Sequence, residues 1–291
     1  MSIKSKISYL IFKLIKKIII KKYNNDKFED QFVVFSNNLI SSKIILNKYY
    51  EKNILLFLKN EIFNKYIDKK DICIDVGANI GNHSKFFSKF FFKVFSFEPN
   101  KKSYELLEIN TKSIKNISIF NIALSNVEQI INFFENKKNY GASRIIQASN
   151  KKNNKNIKKI KTNILDKVIL EKNFKNIKYI KIDTEDHDIN VLKGANNYLR
   201  NNSPFISIEL KKYDFNKSYN DFEIILFLKK FGYKYFYNIL EYQNQNKYKN
   251  IFMKFLIFIF YYKKSKMYYV EKINKFMAKD YEFLFISKNK I

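Results

Sequence analysis

The sequence predicts a doubly wound α/β fold, a Rossmann-like sheet of mostly parallel strands with helices on both faces. Three observations predict it. From Asp71 onward, short apolar runs alternate with segments of helical period. The first run leads into a turn that holds two of the five glycines of the chain, and the second run ends in an acidic residue. Repeated strand and helix indicates parallel strands joined by right-handed crossovers.

The first 28 residues are predicted to form a basic amphipathic helix. Lysines alternate with apolar residues at helical spacing, namely Leu10, Ile11, Leu14, Ile15, Ile18 and Ile19. Because these lysines interrupt every apolar run, the segment lacks the continuous core of a signal peptide or of a membrane span. Two interpretations stay open: the helix lies on a membrane surface, or it docks onto the core of its own protein.

Residues 29–68 form an N-terminal cap segment that precedes the main domain. The stretch NKYYEKNILLFLKNEIF carries its apolar residues at helical spacing. Residues 69–291 form the domain itself, and residues 249–276 are a hydrophobic, basic insertion before its last strand. The insertion contains NIFMKFLIFIFYYKKSK, which is too short to span a bilayer. We expect either a buried helix or a second contact with a membrane surface.

Within the domain, apolar runs predict strands and periodic segments predict helices. The strands are DICID, KVFSF, NISIFN, KYIKID, PFISIEL, YKYFYNI and KDYEFLFIS. Helices are predicted for Gly81–Phe91, Lys101–Thr111 and residues 221–231, and Gly232 supplies a left-handed stop to the last of these. Residues 126–137 predict a further strand or one arm of a hairpin, and the polar residues 149–161 predict a mobile surface loop.

The formal net charge of +28 comes almost entirely from lysine, because arginine occurs only at Arg144 and Arg200. Lys, Asn, Ile, Phe and Tyr are abundant together while Gly and Pro are scarce, which is typical of compositional drift. A protein that reads phosphates is expected to use more arginine for bidentate contacts. We therefore interpret the charge as a solvated lysine surface, and nucleic acid is not an expected partner.

Cysteine and histidine are too few for most metal and redox sites. Cys73 is the single cysteine, which excludes an internal disulfide framework, a four-cysteine zinc site and a cysteine-bound iron–sulfur cluster within this chain. His83 and His187 are the histidines, too few for a histidine-rich site, so no metal is predicted. The composition fits a reducing cytoplasm, with the protein either free there or peripheral on the inner face of the membrane.

The turn DVGANIG places a small-residue loop and helix N-terminal amides at the carboxyl edge of the sheet, where open α/β folds bind ligands. Glu98 ends the next strand, 21 residues after Gly77, where a carboxylate meets the two hydroxyls of an adenosine ribose. These features predict an adenosine cofactor. Asn79 takes the second-glycine position of a dinucleotide fingerprint, which argues against NAD. Asp75 suits a cofactor with positive charge, such as S-adenosylmethionine.

Six blocks of sequence resemble the FkbM-type methyltransferases, S-adenosylmethionine-dependent enzymes with a seven-strand sheet whose last strand is antiparallel. The blocks are DVGANIGNHS, FSFEPN, NIALSN, NYGASRI, KTNILDKVI and YIKIDTEDHDINVLKGA, in the family's order, from about residue 70 to 212. The resemblance implies that fold, methyltransferase activity and S-adenosylmethionine as cofactor. It also implies the cofactor-binding residues, which are Asp75, Gly77, Ala78, Asn79 and Gly81 around the methionine part, Glu98 and Pro99 at the ribose, and Asn121 and Ala123 at the adenine.

The block KIDTEDHD follows the fourth strand and, by the resemblance, faces the methyl group. Asp183, Glu185 and His187 are its predicted catalytic residues, with His187 as general base oriented by either carboxylate. A structural role for His187 at a helix start is the alternative. Asp186 stands where the family usually has glycine, which puts the shape of the loop in question. Glu209 is a further residue expected to line the acceptor pocket.

The favoured activity is methyl transfer to oxygen. The sequence lacks the N-P-P-Y or D-P-P-Y tetrapeptide of nitrogen methylators, and the resemblance suggests a hydroxyl of a sugar, glycan or secondary metabolite as acceptor. Two alternatives remain: a non-catalytic, lysine-rich relative that binds membrane or RNA, favoured if Asp186 distorts the site, and an NAD-dependent oxidoreductase. An anionic membrane surface is a candidate partner through residues 1–23 and 250–266. The sequence leaves the individual acceptor and the oligomeric state open.

Overall fold

The computed structural model of the chain describes residues 8–10, 13–14, 17, 31–36, 38–137, 139–146, 155–211, 222–241, 268–272 and 281–291. The strands are β1 Ile72–Val76, β2 Lys93–Phe97, β3 Ile117–Phe120, β4 Ala123–Ser125, β5 Ile130–Phe134, β6 Arg144–Ile146, β7 Ile157–Ile164, β8 Ile177–Ile182, β9 Phe205–Lys211, β10 Tyr235–Glu241, β11 Tyr268–Lys272 and β12 Tyr281–Ser287. The α-helices are α1 Leu39–Asn47, α2 Lys52–Phe57, α3 Asn82–Phe87, α4 Lys101–Thr111, α5 Leu165–Glu171, α6 Asp188–Lys193, α7 Asn196–Asn201 and α8 Glu223–Lys229. A π-helical segment, Leu58–Phe63, and a last turn, Asn64–Tyr66, continue α2.

In the described part of the chain, eight strands form the main sheet, in the order β11-β10-β12-β9-β8-β1-β2-β3. The five strands from β9 to β3 are parallel, and β12, β10 and β11 run antiparallel to their neighbours. This order confirms the predicted doubly wound sheet with an antiparallel end. β11 is an additional edge strand inside the predicted insertion, and the stretch at 250–266 lies outside the described residues.

A smaller sheet, in the order β4-β7-β5-β6, flanks the main sheet. β5 and β6 pair antiparallel, which confirms the predicted hairpin arm within residues 126–137. The prediction of a loop for residues 149–161 is wrong from Ile157 onward, because β7 begins there and pairs with β5. Thr162 is buried, while Lys159 and Lys161, on the opposite face of β7, are exposed, and so is Lys158 at the start of the strand. The lysines gave this strand the composition of a loop.

The strands bury both faces of the main sheet in two apolar clusters. Ile72 and Ile74 of β1 face one cluster, and the intervening Cys73 faces the other. The cap segment supplies the second cluster with buried side chains that include Leu58 and Ile62. Burial of each such side chain contributes about 2 kcal/mol. The helices of the cap segment therefore cover one face of the sheet.

The predicted N-terminal helix is helical wherever the structure describes it, at residues 8–10, 13–14 and 17. Leu10 is 63% exposed and Leu14 is 65% exposed, so neither leucine packs into the core. Among the described residues, no helix combines the length and the apolar content that crossing a bilayer requires.

Candidate functional site

The turn after β1 needs glycine because another part of the backbone passes close to it. Gly77 has a φ of +76°, and a Cβ there would overlap the carbonyl oxygen of Asp183, just after β8. The amides of Gly77 and Ala78 both donate to the carbonyl of Phe97 in β2, over 2.9 and 3.0 Å. The neighbouring strands on either side of β1 thus fix the turn.

The second half of the turn is also left-handed. Asn79 has a φ of +51°, which asparagine tolerates better than most residues. Gly81 has a φ of +89°, and a Cβ there would lie 2.8 Å from the side chain of Leu107 on α4. Asn79 therefore takes the second-glycine position without breaking the turn, and Gly81 lets α3 start against α4.

Glu98 lies at the end of β2 and faces the turn. Its carboxylate accepts hydrogen bonds from the amides of Asn79 and Asn100, each over 2.8 Å. Burial raises the pKa of Glu98 to about 7, although the two amides act in the opposite direction. Each carboxylate oxygen keeps a second lone pair, so both oxygens can accept a further hydrogen bond.

Pro99, Asn121 and Ala123 lie on the same side as Glu98. The side-chain amide of Asn121 donates to the carbonyls of Glu98 and Pro99, over 2.8 and 3.2 Å, while Ala123 is buried at the start of β4. A cleft of about 350 Å³ opens next to Pro99 and Asn121. Its wall also includes residues from α4, β5 and β7, among them Lys101, Phe133 and Lys161. This cleft has room for a flat heterocycle beside the position predicted for a ribose.

Asp75 supports the turn from beneath. It is fully buried, accepts a hydrogen bond from the Ser84 hydroxyl over 2.6 Å, and lies 3.4 Å from the ammonium of Lys181. Lys181 also contacts Asp183 at 3.3 Å and donates to the Gly77 carbonyl over 3.0 Å. Burial alone would lower the pKa of Lys181, but the two carboxylates outweigh burial and raise it above its usual value. The charge of Asp75 is thus balanced inside the protein, so we assign it to support of the turn.

The loop after β8 adopts the shape that a glycine would allow. Glu185 and Asp186 have φ values of +53° and +81°. The buried carboxylate of Asp188 fixes this loop, because it accepts hydrogen bonds from the amide and the hydroxyl of Thr184 over 2.9 and 2.7 Å. Asp186 therefore has a left-handed backbone, which glycine adopts most readily and which aspartate tolerates better than most residues.

His187 is turned toward the small sheet. Its Nε2 lies 2.9 Å from the hydroxyl of Ser125 in β4, and its Nδ1 lies 3.2 Å from the side-chain amide nitrogen of Asn190. Burial lowers the pKa of His187 to about 4. Both ring nitrogens are therefore engaged, and the imidazole is a weak base.

Carboxylates dominate the edge of the sheet at the ends of β8 and β9. Because Ile182 pairs with Ile208, Asp183 and Glu209 are neighbours across the two parallel strands. Burial raises the pKa of Glu209 to about 9, and the negative charges of Asp183, Glu51 and Glu185 add to this effect. In the described residues, no three potential ligands are grouped so that they could hold a metal ion.

Sequence reasoning missed Glu51 and Lys181 as parts of this site. Glu51 belongs to the cap segment, and its carboxylate lies 3.2 Å from Nε2 of His83. The side chain of Asn82 holds this segment in place, since it accepts from the amide of Tyr50 over 2.9 Å and donates to its carbonyl over 3.1 Å. Glu51 lies in no recognisable motif. Lys181 opens the block KIDTEDHD, but only the folded chain shows that its ammonium lies between Asp75 and Asp183.

One family model and several solved structures are similar to this chain. The family model of the methyltransferase FkbM domain matches residues 75–235, more than half of the chain. The search of curated proteins found no match. Solved structures similar to this chain include an FkbM methyltransferase from Methylobacillus flagellatus, at 16% identity and a TM-score of 0.39, covering 57% of this chain and 38% of that one.

Two further solved structures match over most of their length. A precorrin-6y C5,15-methyltransferase from Geobacter metallireducens has 10% identity and a TM-score of 0.44, covering 89% of this chain and 94% of that one. A Streptococcus mutans protein described as a methyltransferase, solved in complex with SAH, has 12% identity and a TM-score of 0.41, covering 80% and 96%.

Proposed function

Because this chain belongs to the FkbM methyltransferase family, we propose that it transfers a methyl group from S-adenosylmethionine to a hydroxyl oxygen. The acceptor class is a sugar, a glycan unit or a secondary metabolite. Membership of the family supports methyl transfer as the reaction. The arrangement around Glu98 is the observation that supports S-adenosylmethionine as the cofactor. The choice of oxygen rests on the resemblance and on the absence of a nitrogen methylator's tetrapeptide from the sequence.

The residues present fit S-adenosylmethionine. Glu98 offers a lone pair on each oxygen to the two ribose hydroxyls, and Asn121 stands at the mouth of the neighbouring cleft, where an adenine fits. The turn from Gly77 to Gly81 presents its backbone to the methionine part. When bound, this cofactor supplies an electrophilic methyl group on a sulfonium. The negative charges of Asp183 and Glu185 at this edge favour that positive charge.

On the acceptor side, the chain must hold a hydroxyl in line with the methyl group and remove its proton. Asp183 and Glu185, at the end of β8, are placed to accept hydrogen bonds from acceptor hydroxyls, and the side chain of Asp183 is 31% exposed. His187 is committed to Ser125 and Asn190, so we propose that it anchors α6 to β4. A different group must then take the proton.

Calorimetric titration tests the cofactor assignment. We expect S-adenosylmethionine and S-adenosylhomocysteine to bind, NADH not to bind, and Glu98→Ala to weaken both sulfur compounds. Asp71→Asn is the matched control, because Asp71 is also a buried carboxylate that accepts a backbone amide but precedes β1 at the opposite edge of the sheet. Binding of NADH alone would favour an oxidoreductase. Binding of none would favour a non-catalytic relative.

We also propose that residues 1–23 dock on an anionic membrane surface. The observation in favour is the exposure of Leu10 and Leu14, which share one face of a helix at i and i+4. Lys13 and Lys17 lie on the same helix and complement anionic lipid headgroups. Exposed leucines beside lysines are what an interfacial helix requires.

Vesicle sedimentation tests this docking. We expect binding to vesicles of phosphatidylglycerol and phosphatidylcholine but not to phosphatidylcholine alone. The double variant Leu10→Asp, Leu14→Asp should lose it. Val127→Asp with Ile130→Asp is the control, because these side chains are 41% and 65% exposed elsewhere on the protein. Equal sedimentation of the leucine variant and the wild type would refute the proposal.

A further inference from the structure

His83, the other histidine of the chain, lies close to the candidate active site. His83 is in the first turn of α3, two residues after Gly81. Its Nε2 lies 3.2 Å from a carboxylate oxygen of Glu51, an ion-pair distance without the alignment of a hydrogen bond. The side chains are 9% and 12% exposed, so the pair is largely shielded from water but not sealed.

The protein holds this pair in place from both sides. The ring of His83 stacks on Phe87, one turn further along α3, with the ring centroids 5.8 Å apart. Glu51 has a left-handed φ of +52°. The backbone of the preceding residue, Tyr50, is hydrogen-bonded to both the amide oxygen and the amide nitrogen of the Asn82 side chain. Such a strained backbone persists only where the surrounding contacts fix it. Asn82 and His83 are adjacent, so α3 itself positions its partner in the cap segment.

Glu51 lies within electrostatic range of the edge where the acceptor is expected. The carboxylate of Glu51 acts electrostatically on Lys181 of β8 and on Glu209 of β9. Asp183 and Glu185 act on the same Glu209. His83 contacts Glu51, and so it borders the same group of carboxylates. By contrast, both ring nitrogens of His187 have partners elsewhere: Nε2 contacts Ser125 of the small sheet, and Nδ1 contacts Asn190 of α6.

We propose, on the basis of the proposed function, that His83 is the general base of methyl transfer and that Glu51 positions it. Nε2 faces Glu51, which leaves Nδ1 to take the proton of the acceptor hydroxyl. As the oxygen forms its bond to the methyl carbon, the carbon–sulfur bond breaks and its electron pair stays on sulfur. The proton moves to His83 and then to solvent, and the nearby carboxylate of Glu51 stabilises the imidazolium.

Nuclear magnetic resonance locates the histidine without any acceptor. S-Adenosylmethionine labelled with ¹³C at the transferred methyl is bound to the full chain, and nuclear Overhauser contacts to the imidazole protons are recorded. With two histidines, one His83→Gln spectrum assigns both rings. We expect contacts to His83 and none to His187. Binding without a contact to His83 overturns the base role alone, whereas no binding overturns the proposed function and the base role with it.

Kinetics then separate a base from a structural residue. His83→Ala should lower transfer of a labelled methyl group to a sugar acceptor roughly 100-fold, and added imidazole should restore part of it. Tyr198→Phe, the control, loses a half-buried hydroxyl that donates to Ile177 at the amino end of β8, and should leave transfer within about threefold of wild type. Glu51→Gln should lower kcat more than it raises KM, since it acts through His83. Full transfer by His83→Ala, or a loss that imidazole does not relieve, contradicts the proposal.

Discussion

Glu98→Gln should remove the pH dependence of cofactor binding. Burial raises the pKa of Glu98 to about 7, so the carboxylate is only about one-tenth ionised at pH 6 and about nine-tenths ionised at pH 8. The ionised form is the better acceptor for two ribose hydroxyls, because both its oxygens carry free lone pairs. The affinity of the wild-type protein should therefore rise about tenfold from pH 6 to pH 8.

S-Adenosylhomocysteine is the appropriate ligand for this measurement, because its sulfur carries no charge. The variant keeps the shape of the side chain but replaces one carboxylate oxygen by an amide nitrogen, so it loses one charge-assisted hydrogen bond to the ribose, which contributes about 1.5–3 kcal/mol. At pH 8 it should bind roughly 10-fold to 150-fold more weakly, and at pH 6 the two proteins should differ far less. Calorimetry in buffers of different ionisation enthalpy should also show proton release near pH 7 for the wild type only.

A flat affinity profile in the wild type would refute this reasoning, as would an unchanged slope in Glu98→Gln. Asp71→Asn controls for the loss of any buried carboxylate. Asp71 accepts the amide of Asp68 over 2.8 Å at the amino end of β1, far from the glycine turn in the sheet. This control should keep the tenfold rise while shifting only the stability of the fold.

Three further predictions concern stability and pH. Gly77→Ala should lower the free energy of unfolding by about 3 kcal/mol or more, because its Cβ would overlap the Asp183 carbonyl at positive φ. Gly232→Ala is the control: it is also at positive φ but has nothing within 4 Å, so chemical denaturation should show a loss of about 1 kcal/mol. The pKa of Glu209 is raised to about 9, so its contribution to the free energy of unfolding is present below about pH 4.5 and is lost as pH rises through 9. The denaturation midpoint of the wild type should fall over this range, and Glu209→Gln should reduce that fall. The pKa of His187 is lowered to about 4, so its contribution is present above about pH 6.5 and lost as pH falls to 4, and His187→Gln should flatten that loss.

The sequence predicts the fold well where one element has one dominant pattern. The run DICID is buried on both faces as β1, and alternation along KDYEFLFIS places Leu284 and Ile286 in the core as β12. Prediction fails at β7, because lysines on its open face hide the strand period. It also misses β11, because five residues alone do not specify an edge strand and the pairing with β10 stabilises the extended conformation.

The site is predictable only as far as local geometry fixes it. Gly77 and Glu98 follow from the strand–turn–helix pattern, because the turn after β1 and the end of β2 must meet at one edge of a parallel sheet. Glu51 is not predictable in this way, since it reaches the site through tertiary packing of the cap segment. His187 shows the converse: its place in a motif says where the backbone runs, but the contact with Ser125 decides which way the ring turns.

The charge of this chain is unevenly distributed, and this distribution explains why a lysine-rich protein can have a negatively charged site. A chain with a net charge of +28 places Lys181 as a buried cation beneath the glycine turn, where Asp75 and Asp183 neutralise it. The carboxylates of Glu51 and Glu185 lie close enough to act on the same edge, so this edge remains negative despite the lysine-rich composition. A cationic cofactor brought to this edge lowers the mutual repulsion of the carboxylates, and a neutral thioether left after transfer does not. Binding should therefore favour the methyl donor over its demethylated product, which helps the product to leave.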